Sequence, residues 1–226
     1  MNKKEKKARL SEIALRLREI YPVSECALKY GGDGWRLLVM ARLSAQCTDA
    51  RVNAVSEELF SVFPTAEAMA EGDISELERI VRPCGLYRTK AENIKAASAM
   101  LIKDFGGELP DEMDALLSLP GVGRKIANLL LGDIFGKPSV VCDTHCIRIC
   151  GRFGMYAESE KNADKVEKIL RELLDLEGGS DFCHRIVEFG REYCTARSPR
   201  CGECPLSDLC QKRERENGEN AARGGV

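Results

Sequence analysis

The sequence predicts an all-α protein. Apolar residues recur at a spacing near 3.6 in one segment after another, capping residues, glycine and proline punctuate those segments, and no stretch alternates cleanly enough for a strand. Leu10, Ile13, Leu17 and Ile20 form the first stripe, which ends before Pro22. Trp35 to Leu43 is strongly apolar, as a buried helix is. Thr48 and Asp49 offer caps for a helix carrying Val52, Val55, Leu59 and Phe60, and Asp73 caps another that runs to Val81 before Pro83. Ala91 to Phe105 repeats the pattern with Ile94, Ala97, Leu101 and Ile102, until Gly106-Gly107 stops it. Pro110 and Asp111 begin a short helix that ends at Leu119-Pro120. Further helices are expected at about 124–135, 145–153, 163–175 and 182–193, the third striped by Val166, Ile169, Leu170 and Leu173. The tail after Cys210 is charged and glycine-bearing and reads as disordered.

With 226 residues the chain has room for one large or two modest domains, each with its own core. Its eleven cysteines are an odd number, and it opens Met-Asn-Lys-Lys-Glu-Lys-Lys with no apolar stretch behind. A disulfide framework is therefore not expected, and a reducing cytoplasm without a signal peptide is. No apolar run approaches the roughly 20 residues of a membrane helix, which predicts a soluble protein. The net charge of −2 gives no hint of a polyanionic partner, but its distribution is uneven. Glu67, Glu71, Asp73, Glu76 and Glu78 form an acidic run, Arg82, Arg88 and Lys90 follow it, and Arg124 and Lys125 stand together. Such local patches can hold a polyanion, although charge alone favours ordinary solvated faces.

Cys194, Cys201, Cys204 and Cys210 fall at the spacing C-x6-C-x2-C-x5-C, with Gly202 and Pro205 flanking the central pair where the chain must turn. Two occupants take four thiolates: tetrahedral zinc and a [4Fe-4S] cube. Zinc ribbons usually join two C-x2-C knuckles from a distance. A single knuckle with one cysteine before and one after suits a compact loop around the cube better. Arg197 and Arg200 lie inside this loop, with no acid between Cys194 and Cys201.

In Leu119-Pro120-Gly121-Val122-Gly123-Arg124-Lys125 a helix is stopped by proline, two glycines free the turn, and a new helix starts at once. The N–H groups of the turn and the first helical turn are left without helical partners and form a phosphate-sized donor pocket. A lone Gly-x-Gly is often only a tight turn. Between two short helices and followed by Arg124 and Lys125, it reads as a helix-hairpin-helix that grips a nucleic-acid backbone.

Val141-Cys142-Asp143-Thr144-His145 follows. The order LPGVGRK, DTH, C-x6-C-x2-C-x5-C resembles the endonuclease III family, the helix-hairpin-helix DNA glycosylases with a catalytic lysine and aspartate and a [4Fe-4S] cluster. The likeness takes in Leu43-Ser44-Ala45-Gln46-Cys47-Thr48-Asp49 and Gly85-Leu86-Tyr87, and so spans about residues 20–210. The resemblance implies a two-domain fold: a six-helix barrel with the hairpin over 27–137, and a discontinuous iron-sulfur cluster domain over 1–26 and 138–226. DNA would bend across the cleft between them. Gly121, Gly123, Arg124, Arg197 and Arg200 would meet the backbone of the double-stranded DNA partner.

A base buried in a duplex must be turned out before chemistry can reach it. By resemblance, Gln46 and Leu86 enter the gap, one an amide for the orphaned partner base and the other an apolar wedge. Their plainer roles are a capping glutamine and a loop leucine packed on the barrel. Lys125 corresponds to the amine that attacks the sugar, and Asp143 to the carboxylate that supports proton transfer and the developing positive charge. The attacking amine must be neutral, and the helix start, Arg124 and partial burial are expected to favour that form. Their plainer roles are a phosphate-contacting lysine and an N-cap aspartate. His145 and His184 are the only histidines, which gives little support to a histidine-based metal site. Cys26, Cys47, Cys84, Cys142, Cys146, Cys150 and Cys183 read as small buried apolar residues.

The function implied is a monomeric, bifunctional glycosylase and abasic-site lyase for damaged, oxidised pyrimidines. Pyrimidine-dimer or mismatched-thymine glycosylases of the same fold are alternatives, as is a noncatalytic DNA-binding module. The retained Lys125 and Asp143 argue against the last of these.

Overall fold

The computed structural model describes residues 1–175 and 180–213, which among themselves form α-helices and short 3-10 turns without a strand. The fold class read from the periodicity is therefore the one observed. Most of the tail beyond Cys210 lies outside the described residues.

The chain forms two compact units, Cys26–Gly136, and Met1–Glu25 with Lys137–Val226. In the central unit the helices are α2 (Gly34–Leu43), α3 (Asp49–Val62), α4 (Ala66–Glu71), α5 (Ile74–Val81), α6 (Tyr87–Phe105), α7 (Met113–Ser118) and α8 (Arg124–Asp133). Short polar caps set most of these starts. Asp33, Thr48, Thr65 and Asp73 each accept a backbone N–H of the first turn with the side chain, satisfying a donor that the helix cannot. The long α6 is the axis of the unit, with α2, α4 and α5 against it. Its inward face of Ala91, Ile94, Ala97 and Leu101 is fully buried. Helix α2 is buried nearly all round and also meets α8, which explains its continuous apolar run.

In the other unit α1 (Lys3–Ile20) packs on α10 (Ala163–Leu173) and α11 (Asp181–Glu192), and α11 on α9 (Thr144–Arg152). Leu10, Ile13 and Leu17 of α1, Val166 and Leu170 of α10, and Ile186 and Phe189 of α11 are fully buried. The stacked rings of Phe153, Phe189 and Tyr193 lead from this core to the loop of four cysteines.

Four elements depart from the sequence reading, one of them α7, which starts at Met113 after the N-cap Glu112 rather than at Pro110 and Asp111. Helix α1 begins seven residues before its first buried apolar residue, Leu10, because Asn2 and Glu5 form a reciprocal capping box. Helix α4 falls within a stretch read only as an acidic run; Thr65 caps it, and Ala66 and Met69 bury its inner face. Helix α6 starts at Tyr87 rather than Ala91, directly after the left-handed Leu86.

Candidate functional site

The hairpin joins α7 to α8 through Leu119–Gly123. Gly121 has φ +77°, and a Cβ there would lie 2.6 Å from both Arg42 Nε and Asn93 Oδ1. No side chain larger than hydrogen fits without displacing these two, so α2 and α6 fix the turn from behind. Gly123 has open space around its Cα and extended backbone, and it stands at the start of α8 without a side-chain cap. The start of α8 thus combines an absent side-chain cap with open space at Gly123, as an anion pocket requires. Arg124 and Lys125 are both exposed. Partial burial of Lys125 does not occur: it sits at the second position of α8, turned away from the buried face of Ala127 and Leu130.

Gln46 and Leu86 share a backbone property that sequence alone did not reveal. Among the described residues they are the only non-glycine residues at positive φ, +55° and +48°. Left-handed backbone is disfavoured for side chains bearing a Cβ and persists only where neighbours impose it. Leu86 is also 64% exposed, which rules out the plainer role of a packed loop leucine.

In the terminal unit, Asp143 is the N-cap of α9; its Oδ1 accepts the Cys146 N–H at 2.7 Å. The plainer role is therefore real, and it fixes the direction of the carboxylate while using one oxygen. Asparagine caps as well as aspartate, so Asp143→Asn should leave thermal stability almost unchanged, whereas Asp143→Ala should cost about 1 kcal/mol of it. Equal loss in both variants, read by denaturant melts, would mean that charge rather than the cap stabilises α9.

The other end of α9 holds the cysteine loop. Arg148 donates to the Cys194 carbonyl at 2.9 Å, and Arg152, almost fully buried, donates to the Thr195 and Ala196 carbonyls at 2.8 and 3.0 Å. Arg152 Nη1 also lies 3.2 Å from Cys194 Sγ. Neither arginine was read from the sequence, where charged residues on a helix resemble a solvated face. One nine-residue helix thus carries Asp143 at its start and the supports of the cysteine loop at its end.

Cys194, Cys201, Cys204 and Cys210 line one cavity together with Phe153, Phe189 and Tyr193. Four cysteines around one cavity are a donor set that a [4Fe-4S] cube takes. Burial pushes the Cys204 thiol up to about 11, a Leu206 backbone bond opposes this, and the other three cysteines add to it. Thiolates at all four positions would require a cationic centre between them. Of the remaining cysteines, Cys84, Cys142, Cys146, Cys150 and Cys183 are buried as expected, while Cys26 and Cys47 are partly exposed.

Arg197 and Arg200 are exposed. Arg200 is not equivalent to Arg197: its guanidinium stacks 5.2 Å from the Tyr193 ring centre and lies 3.4 Å from Glu203. His145 is partly buried, with Nδ1 3.2 Å from Arg148 Nη2, a supporting position at the cysteine loop.

Residues 39–175 match the HhH-GPD superfamily base excision DNA repair protein model, and residues 194–210 match the iron-sulfur binding domain of endonuclease III. The chain is 41% identical to endonuclease III of Bacillus subtilis over 204 residues, covering 89% of this chain and 92% of that protein. It is 39% identical to endonuclease III of Escherichia coli, over 92% and 98% of the two chains. A solved non-covalent endonuclease III–DNA complex superposes with a TM-score of 0.86 at 37% identity, covering 96% of this chain and 98% of that one. A thermostable thymine-DNA glycosylase, at 22% identity and a TM-score of 0.84, shares the fold. With the matched cysteine segment comes the [4Fe-4S] cluster. The chain belongs to the endonuclease III family of the HhH-GPD superfamily, the DNA glycosylases and abasic-site lyases of base excision repair.

Proposed function

We propose that this chain removes oxidised pyrimidines from double-stranded DNA as a monomer in the cytoplasm and then cleaves the strand at the abasic site. In this reading Lys125 Nζ bonds to C1′ as the glycosidic bond breaks, the electron pair leaving with the base, which takes up a proton. Asp143 supports that proton transfer and the positive charge on the sugar. The sugar ring opens to a Schiff base on Lys125 as the C1′–O4′ bond breaks and O4′ takes up the proton that Nζ gives up, a C2′ proton is lost, and the C3′–O bond breaks with its electrons on the phosphate. Cys194, Cys201, Cys204 and Cys210 would hold the cluster, which would make their loop rigid. Gln46 and Leu86 fill the space of the expelled nucleotide.

The observation that carries this reading is the left-handed backbone at Gln46 and Leu86, together with the exposure of the Leu86 side chain. Exposed apolar surface held in a disfavoured backbone is costly to keep, and entry into a base stack gives it a use. Duplexes each bearing one defined lesion should release oxidised pyrimidines, with nicking that follows. Release confined to pyrimidine dimers or mismatched thymine would transfer the assignment to those substrates. Nicking of preformed abasic sites without base release would remove the glycosylase step.

The backbone contact is tested separately. Arg197→Ala and Arg200→Ala should each weaken binding to all sequences and make the salt dependence shallower by about 0.9 of a log unit per log unit of salt. Arg200 must first leave Glu203, but an exposed pair of this kind costs little to break. Salt slopes unchanged in both variants would leave the loop with only its structural part.

A further inference from the structure

Lys90 has no part in the chemistry, yet it is fully buried, and no other lysine among the described residues is. Its Nζ donates to three main-chain carbonyls: Leu43 at 2.8 Å, Ala45 at 2.7 Å and Cys84 at 2.8 Å. An ammonium has three donors, so this set is complete. Its backbone N–H adds a fourth tie, to Leu86 O at 3.0 Å. The first two carbonyls close α2 and lead straight to Gln46; the third precedes Gly85 and Leu86. A buried charge is retained only when it is well hydrogen-bonded, and removing it would leave three carbonyls unpaired in the interior. The two non-glycine residues at positive φ among the described residues are therefore the two whose preceding chain segments this ammonium holds together.

We propose that Lys90 is the positioning residue that clamps the Gln46 loop to the Leu86 loop and so sets the separation at which amide and wedge enter the duplex. The proposal rests on the reading of Gln46 and Leu86 as the duplex-entering pair. A lysine is suited to this task because its ammonium donates to three carbonyls in different directions, which the planar arginine fork does not. Positional errors of about 1 Å at a reacting centre can cost on the order of 100-fold in rate.

The test compares single-turnover base release from a lesion duplex by Lys90→Met in two backgrounds, the natural chain and the Gln46→Ala/Leu86→Ala chain. In the natural background a loss of roughly 10- to 100-fold is expected. In the doubly truncated background Lys90→Met should change the rate by less than about twofold, because the groups it places are gone. An equal loss in both backgrounds would reduce Lys90 to general support and overturn the proposal. Should Gln46→Ala/Leu86→Ala alone cost nothing, the wedge reading fails; should it cost activity while Lys90→Met does not, only the clamp fails. Lys90→Gln, which retains donors, should lie between the natural chain and Lys90→Met. If neither variant folds, amide exchange on the unaltered chain decides: residues 46–47 and 86–88 should open as one unit, and independent opening would overturn the clamp.

Discussion

Lys125→Gln should abolish borohydride trapping on lesion-bearing duplex and strand nicking with it, a loss of at least about 1000-fold, while the protein still folds and binds an abasic-site analogue. A Schiff base is reduced by borohydride to a permanent amine, so the crosslink reports the nucleophile directly. Undamaged duplex should give no crosslink. The substitution is structurally mild, because Lys125 is exposed near the start of α8 and glutamine is a comparable helix former. The hairpin is held elsewhere, by Gly121 against Arg42 and Asn93. A Lys125→Gln protein that still crosslinks would move the nucleophile to another amine. The companion variant Asp143→Asn retains the cap at Cys146 N–H but not the charge, so it should slow base release more than cleavage of a preformed abasic site. Equal slowing at both stages would leave Asp143 as an ordering residue.

What the sequence disclosed and what it hid divide along physical lines. Helices with a polar cap and a periodic apolar face were legible: Thr48 and Asp73 mark their starts, and Gly106 ends α6 in left-handed backbone. Helix α4 was not, since its six residues are too few to show a period and its acids dominate the reading. Lys125, Asp143 and the four cysteines stood out because their spacing is a property of the string. The residues that support them did not. Lys90, Arg148 and Arg152 are charged side chains on helices, a pattern that usually means solvent, and only the fold shows that each reaches carbonyls distant in sequence, those of Leu43 and Ala45 for Lys90. The left-handed backbone at Gln46 and Leu86 was equally hidden, because nothing in a glutamine or leucine announces positive φ.

Cys204→Ser should deplete the cluster and destabilise the terminal unit, with duplex affinity falling before any step of the chemistry is affected. Protein purified without added metal should be brown and hold roughly four irons per chain, whereas colourless protein with one zinc would overturn the cluster. The reason for the expected unfolding lies in the lining of the cavity. Cys204 is partly buried beside three further cysteines, and Phe153, Phe189 and Tyr193 close one side, so loss of the shared cationic centre leaves thiols and rings around a void. Damage should travel along α9. Arg148 and Arg152 grip the carbonyls of residues 194–196, and the same helix begins at Asp143. Iron chelation of the natural chain should therefore lower helicity and melting temperature together, and Arg152→Met should mimic it in part by freeing the Thr195 and Ala196 carbonyls. A Cys204→Ser protein that folds and binds duplex normally but has lost base release would instead give the cluster a direct part in the reaction. Retained affinity and activity after complete iron loss would show that α9 and the aromatic stack hold the loop unaided.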